Sequence, residues 1–144
     1  MKAIYISARD TGSHARLARQ PIVKVMTQPP VLISDRELLE DALVRMINSG
    51  LRHLVVVDAT GRCVGVLSDR AIAAVWASDF NALAVRTIAS ALGPAPETVC
   101  VLDEVIDAAK LMGANGIDAV AVTDTEGRPV GIVTGGDLVA LLAK

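Results

Sequence analysis

Gly131-Ile132-Val133-Thr134-Gly135-Gly136-Asp137 and, 66 positions earlier, Gly65-Val66-Leu67-Ser68-Asp69-Arg70-Ala71 are two versions of one phrase. Each has a glycine, an apolar pair, a hydroxyl residue and a polar run, which reads as the end of a strand followed by the N-cap and first turn of a helix. The same offset, without a gap, pairs Pro30 with Pro96, Asp41 with Asp107, Ala42 with Ala108, Met46 with Met112 and Gly50 with Gly116. It goes on to pair Val56 with Val122, Asp58 with Asp124, Gly61 with Gly127, Arg62 with Arg128 and Val64 with Val130. With Gly65/Gly131 these are 11 identities over positions 25 to 72, where composition alone gives about four. The chain is a duplicated unit.

Working outward from the two phrases, each copy reads strand, helix, two strands joined by a tight turn, helix. In the first copy Val31 to Ile33 is the short strand, and Leu38, Leu39, Ala42, Leu43, Met46 and Ile47 share one helical face until Gly50 stops the helix. Leu54 to Val57 is a β-branched run, Asp58 to Gly61 a turn, Cys63 to Leu67 the partner strand, and Ser68 the N-cap of the next helix. The second copy predicts strands at Thr98 to Val101, Ala119 to Thr123 and Val130 to Val133, a turn at Asp124 to Gly127, and helices at Glu104 to Ala114 and Asp137 to Leu142. The expected organisation is a polar N-terminal segment at 1–20, a first repeat at 21–78, a linker at 79–86 and a second repeat at 87–144. A unit of this size is marginal alone. The expected fold is therefore α/β (α+β), two tandem β-α-β-β-α repeats packed sheet to sheet with pseudo-two-fold symmetry, any ligand cleft lying between them.

Composition narrows the function. The 144 residues carry 14 Lys+Arg against 16 Asp+Glu, a formal charge of −2, with 52% hydrophobic residues and a mean hydropathy of +0.48. Net charge does not drive polyanion binding, and with Tyr5, Trp76 and Phe80 as the only aromatics there is no base-stacking platform. A nucleic-acid partner is not expected. The longest runs free of charged residues, Val25 to Ser34 and Thr87 to Pro96, are ten residues, against about 18 for a membrane span. No secretion signal is read in Met1 to Gln20, so the expected compartment is the cytoplasm. Cys63 and Cys100 match no metal spacing and read as small hydrophobes; Met26, Met46 and Met112 read as core or interface packing. His14 and His53 have no zinc-site partners, and no nucleophile elbow, phosphate loop or dinucleotide fingerprint occurs. No metal, no required cofactor and no enzymatic activity are expected.

The G-h-h-[ST]-x-x-D pattern at 131–137, its duplication and the β-α-β-β-α order resemble the cystathionine-β-synthase (CBS) domain pair, or Bateman module, over about residues 21 to 142. A hydroxyl beside the open N–H groups of a helix start can meet a phosphate, and a nearby carboxylate can accept two ribose hydroxyls. The resemblance implies that the motif of one repeat holds ribose and phosphate while the strand starts of the other hold adenine. It thus implies one complete cleft. Thr134 and Asp137, with Gly131 and Ile132, would face Leu32, Ile33 and Leu51 as apolar walls, with Arg52 and His53 as cations for phosphate. The second cleft reads as degenerate: Ser68 and Arg70 remain, Ala71 replaces the aspartate, and Thr98, Asp118 and Ala119 face them without a basic pair. A carboxylate beside a phosphate costs up to a few kcal/mol at an effective dielectric of about 20, and the lost ribose contact roughly 1.5–3 kcal/mol more. At most one nucleotide per chain is expected, with AMP, ADP, ATP or S-adenosylmethionine as candidates. Arg70 partly compensates in the second cleft.

Plainer readings stand beside these. Thr134 and Asp137 also read as a helix cap, His53 as a solvated strand end, Arg52 as a partner for Asp118 or the Asp58 turn, and Arg62 and Arg128 as solvated turn residues. Lys2, Arg9, His14, Arg16 and Arg19 against Asp10 make the N-terminal segment basic, either a solvated tail or a docking arm. The helices at 38–47, 105–112 and 138–142 carry more apolar surface than one sheet needs, which predicts a homodimer. The expected function is a stand-alone sensor of an adenosyl ligand acting on an unknown regulated protein. A ligand-free dimeric scaffold and a thiol switch are the competing readings.

Overall fold

The structure, a computed structural model, describes residues 12–143. Two three-stranded sheets carry the fold. The first contains β1 (Leu32–Ser34), β2 (His53–Val57) and β3 (Cys63–Ser68), with helices α1 (Leu39–Ser49) and α2 (Asp69–Ser78). The second contains β4 (Thr98–Cys100), β5 (Ala119–Thr123) and β6 (Pro129–Thr134), with α3 (Val105–Asn115) and α4 (Gly135–Leu142). In each sheet the first strand runs parallel to the second, which the intervening helix crossover requires, and the second pairs antiparallel with the third across a tight turn. Registers repeat too: Val56 faces Gly65 as Val122 faces Gly131. The duplicated α/β architecture expected from the sequence is the one observed.

The apolar pattern explains the layers. Leu54 and Val56 of β2 point to the helix side, where they pack with Leu39, Ala42, Met46 and Ile72; Val120, Val122 and Val133 do the same with Val105, Ala108 and Met112. The opposite faces meet in a thin central cluster of Val55, Cys63 and Ala121, flanked by Val66 and Ile132. Small side chains here let the sheets lie close. α1 and α3 both end on a glycine in the left-handed region, Gly50 at φ 72° and Gly116 at φ 63°, where any other residue would be strained.

Each repeat also lends a segment to the other. Ile22, fully buried, sits in the core of the second sheet with Leu17, Val25 and Met26 around it. Its N–H donates to the Asp103 carbonyl at 2.9 Å, and the Val105 N–H donates to the Gln20 carbonyl at 2.9 Å. Sixty-six positions on, the Ile88 N–H donates to the Glu37 carbonyl at 2.8 Å and the Leu39 N–H to the Arg86 carbonyl at 3.0 Å, with Ile88 fully buried in the first core.

Several local expectations change. Residues 12–18 are helical and Leu17 packs on the second core, so this part is not a solvated tail; Lys2, Arg9, Asp10 and Tyr5 lie outside the described residues. The segment 79–86 is not a loose tether, because Ala82 is buried. Arg62 is not merely solvated: its Nε donates to the Glu126 carbonyl at 3.1 Å, joining the two β-turns. Cys63 is buried, whereas Cys100 is only half-buried. The apolar surplus falls on Val44 and Ile47 of α1, Trp76 of α2 and Val139 and Leu142 of α4. None of the exposed large apolar residues belongs to α3, whose Val105 and Met112 face the core.

Candidate functional site

The two strand-to-helix turns differ in one residue, and the geometry shows what it does. Thr134 Oγ1 accepts from the Asp137 N–H at 3.3 Å, and Asp137 Oδ2 accepts from the Thr134 N–H at 2.9 Å, a reciprocal capping box. In the first repeat Ser68 Oγ accepts from the Ala71 N–H at 3.1 Å, but Ala71 has nothing to return. The capping reading of Thr134 and Asp137 is therefore what the backbone displays, and one carboxylate oxygen of Asp137 is spent on it. Ahead of the turn, Gly131 is a packing residue. A Cβ there would lie 2.5 Å from Met26 Sδ and 3.1 Å from the Thr27 carbonyl, because residues 26–27 cross this strand and Thr27 bridges Ile132.

A cavity of about 270 Å³ lies between the repeats beside Thr134. Of the residues expected there, Thr134, Ile132, Leu51, Arg52 and His53 line it. Leu32, Ile33, Gly131 and Asp137 do not. Ile33 is 2% exposed on the helix side with Leu54 and Val56, and Leu32, paired with Val55, sits at the sheet edge, so the apolar wall is Val31 with Pro29 and Pro30 instead. Strand alternation puts Leu32 and Ile33 on opposite faces; that signal separates them in the sequence as well. Nothing local in the sequence marks the two prolines as cavity walls.

The second cleft is the larger, about 690 Å³. Ser68, Arg70, Ala71, Asp118 and Ala119 line it as expected; Thr98 does not, and the segment Ala91 to Glu97 forms a wall that sequence reading missed. Room is left where Ala71 stands for an aspartate and Ala119 for a histidine. The cleft with the incomplete motif is thus the roomier of the two. The larger cavity is inside the range of about 300–1,000 Å³ usual for small-molecule sites, and the smaller is just below it.

One hydrogen-bonded side-chain pair sits between them. His53 borders both cavities, and its Nε2 lies 3.0 Å from Asp118 Oδ1. The His53 side chain is 12% exposed and that of Asp118 56%. The hydrogen bond from His53 holds the Asp118 carboxyl below the usual carboxylate range, with smaller help from the charges of His53 and Arg70 and against a desolvation that raises it. Asp118 thus pairs with His53 rather than with Arg52. Burial pushes the Cys63 thiol up, away from reactive thiolate. Among the described residues no three His, Cys, Asp or Glu side chains are placed to share a metal ion, and no helix is long and apolar enough to cross a membrane.

Comparison with known proteins matches this geometry. A CBS domain-containing protein of Dictyostelium discoideum is 28% identical over 133 residues, spanning 85% of this chain and 92% of its own. The L-aspartate semialdehyde sulfurtransferase of Methanosarcina acetivorans is 32% identical over 127 residues; they are 86% of this chain and only 24% of that enzyme. Among solved structures, the CBS domain pair of protein MJ0100 in complex with 5'-methylthioadenosine and S-adenosyl-L-methionine superposes with a TM-score of 0.77 at 25% identity, covering 87% of this chain and 97% of that one. A CBS domain protein of unknown function from Thermoplasma acidophilum superposes with a TM-score of 0.76 at 30% identity, covering 85% of this chain and 68% of that one. The CBS domain model matches residues 22–78 and again 89–144, and the chain belongs to the CBS domain family.

Proposed function

We propose that this protein is a non-catalytic regulatory module that binds an adenosyl ligand, AMP, ADP, ATP or S-adenosylmethionine, in one cleft between its two repeats. The observation that carries the reading is the pair of cavities at equivalent strand-to-helix turns, with the smaller one bringing Thr134 together with Arg52 and His53. A phosphate there meets a hydroxyl and a guanidinium, while Leu51, Val31 and Ile132 supply apolar surface for a base. Asp137 stands outside that lining and, through the capping box, positions the turn that carries the Thr134 hydroxyl. The solved complex of protein MJ0100 with two adenosyl compounds supports the ligand class.

The exposed Val44, Ile47, Val139 and Leu142 favour association of two copies through their helices. A bound ligand then acts by favouring one arrangement of that dimer over another, changing the surface offered to a regulated protein in the cytoplasm. The test is thermal stability with AMP, ADP, ATP, GMP and S-adenosylmethionine on wild type, Asp137→Ala and Thr134→Val. A ligand at 100 times its Kd adds about 2.7 kcal/mol. Because Asp137→Ala also removes a cap worth about 1 kcal/mol, each ligand shift is taken from the variant's own baseline. A shift in wild type that shrinks in both variants upholds the reading. No shift with any compound, in a protein that still sediments as a dimer, replaces it with a ligand-free scaffold.

A further inference from the structure

One contact is made in the second copy of the repeat and left unmade in the first. Met26 packs against Gly131, and 66 positions on Leu92 packs in the same way against Gly65, its Cδ2 3.1 Å from where a Cβ would stand. The next residue differs. Thr27 donates its N–H to the Ile132 carbonyl at 2.8 Å and accepts from the Ile132 N–H at 3.0 Å, closing the edge of β6. Its counterpart Gly93 makes no such bridge to Val66 on β3. Val55 aims its N–H at the Val31 carbonyl, 3.0 Å away on the far side of β2, so its partner Val66 turns its own N–H and carbonyl outward from the sheet. Among the described residues neither group has a partner. Equivalent residues line the two cavities: Thr27 and Ile132 the one of about 270 Å³, Gly93 and Val66 the one of about 690 Å³.

We propose that the segment 93–96 is a strap that closes the larger cavity by bridging Val66, as Thr27 bridges Ile132, and that a ligand in that cavity holds it open. Leu92, extended at φ −87° and ψ 153°, is already seated over Gly65, so the strap starts beside the open edge and Gly93 is its pivot. Beyond the pivot Pro94 and Pro96 stiffen the chain, so it swings as one piece. The two hydrogen bonds gained on closing are offset by the ordering of a glycine, where the second copy has a β-branched threonine suited to a strand. That near balance lets whatever fills the cavity bias the strap toward its open form. The strap acts on the larger cavity alone, and it stands whichever ligand the smaller one takes.

The experiment is amide hydrogen exchange, followed by nuclear magnetic resonance, on wild type, Gly93→Thr and Gly93→Pro, with Ile132 as the reference amide in every spectrum. A Cβ at Gly93 meets nothing within 4 Å, and Leu92 is extended, the conformation a following proline requires, so both variants fit the open form. Threonine favours the bridge, and proline removes the N–H that the Val66 carbonyl accepts on closing. In wild type the Val66 amide is expected to exchange faster than that of Ile132. Gly93→Thr is expected to slow it by about tenfold, as when the closed form fills about nine-tenths of the population, and Gly93→Pro to speed it. Exchange at Val66 as slow as at Ile132 in wild type overturns the inference, because the bridge is then permanent. Equal Val66 rates in wild type and Gly93→Pro overturn it because the strap then never reaches the edge, and an unchanged rate in Gly93→Thr does the same. Access is read with Ala71→Cys, a position that lines the larger cavity. Alkylation of that thiol by iodoacetamide, measured on its own peptide by mass spectrometry, is expected to slow by about tenfold when Gly93→Thr is added; an unchanged rate overturns the inference, since the bridge then leaves the cavity open.

Discussion

Asp137, Gly131 and Asp118 are held in place by three different kinds of contact: a cap, a close packing and a hydrogen bond between sheets. Asp137 has a sequence signature, a hydroxyl residue three positions ahead, and that signature serves a capping box and a ligand site equally. Gly131 belongs to the same phrase but is held by Met26 and Thr27, more than a hundred residues away in the chain. Gly131→Ala is therefore expected to destabilise the fold by about 1–3 kcal/mol through overpacking, measured by urea denaturation; wild-type stability would show that residues 26–27 move aside freely. Asp118 carries a pH prediction. Its folded carboxyl titrates below the ordinary value of 3.8, so the stability it contributes is present above that value and is lost as pH falls through the lower folded one. Asp118→Asn is expected to flatten that part of the acid limb in a pH series of thermal melts, and an unaltered limb would contradict the assigned bond. The His53–Asp118 pair was not legible in the sequence, because its members lie 65 positions apart and meet only when the sheets pack.

At the scale of elements, period and punctuation place the strands and helices to within one or two residues. Asp41 and Asp107 sit at equivalent third positions of α1 and α3, where their carboxylates accept from the Leu38 N–H at 3.0 Å and the Glu104 N–H at 2.8 Å. The crossing segments were not legible. Ile22 and Ile88 stand in short 3-10 turns with no sheet partner of their own, and their burial comes from the other repeat's core. Ile22→Ala and Ile88→Ala are each expected to cost about 2–5 kcal/mol, the range for emptying a packed aliphatic site. Chemical denaturation followed by Trp76 fluorescence, and separately by far-ultraviolet circular dichroism, checks this. Coincident curves are expected for both variants, since each segment ties one core to the other; separated transitions would mean the repeats melt independently.

For the whole molecule, the exchange of segments makes the two repeats one folding unit. A fragment ending at Ser78 lacks Arg86 to Leu92, which cap the first core, and is expected to show no cooperative melt; a cooperative one would show that the cap is dispensable. Association is tested on the exposed helix faces. Ile47→Asp with Val139→Asp is expected to turn a dimer into a monomer in sedimentation velocity, and an unchanged sedimentation coefficient would move the interface elsewhere. The sequence by itself determined the duplication, the element order and the sheet-on-sheet layering, because these follow from period, punctuation and a repeat offset, and the motif at 131–137 carried the resemblance to the family. Tertiary structure alone decided which cleft is roomy, which wall residues line it and that His53 rather than Arg52 meets Asp118. Cavity size and side-chain pairing depend on how closely two sheets approach and on what crosses between them, and those contacts join residues far apart in the chain, such as Leu39 with Arg86, His53 with Asp118 and Gly131 with Met26.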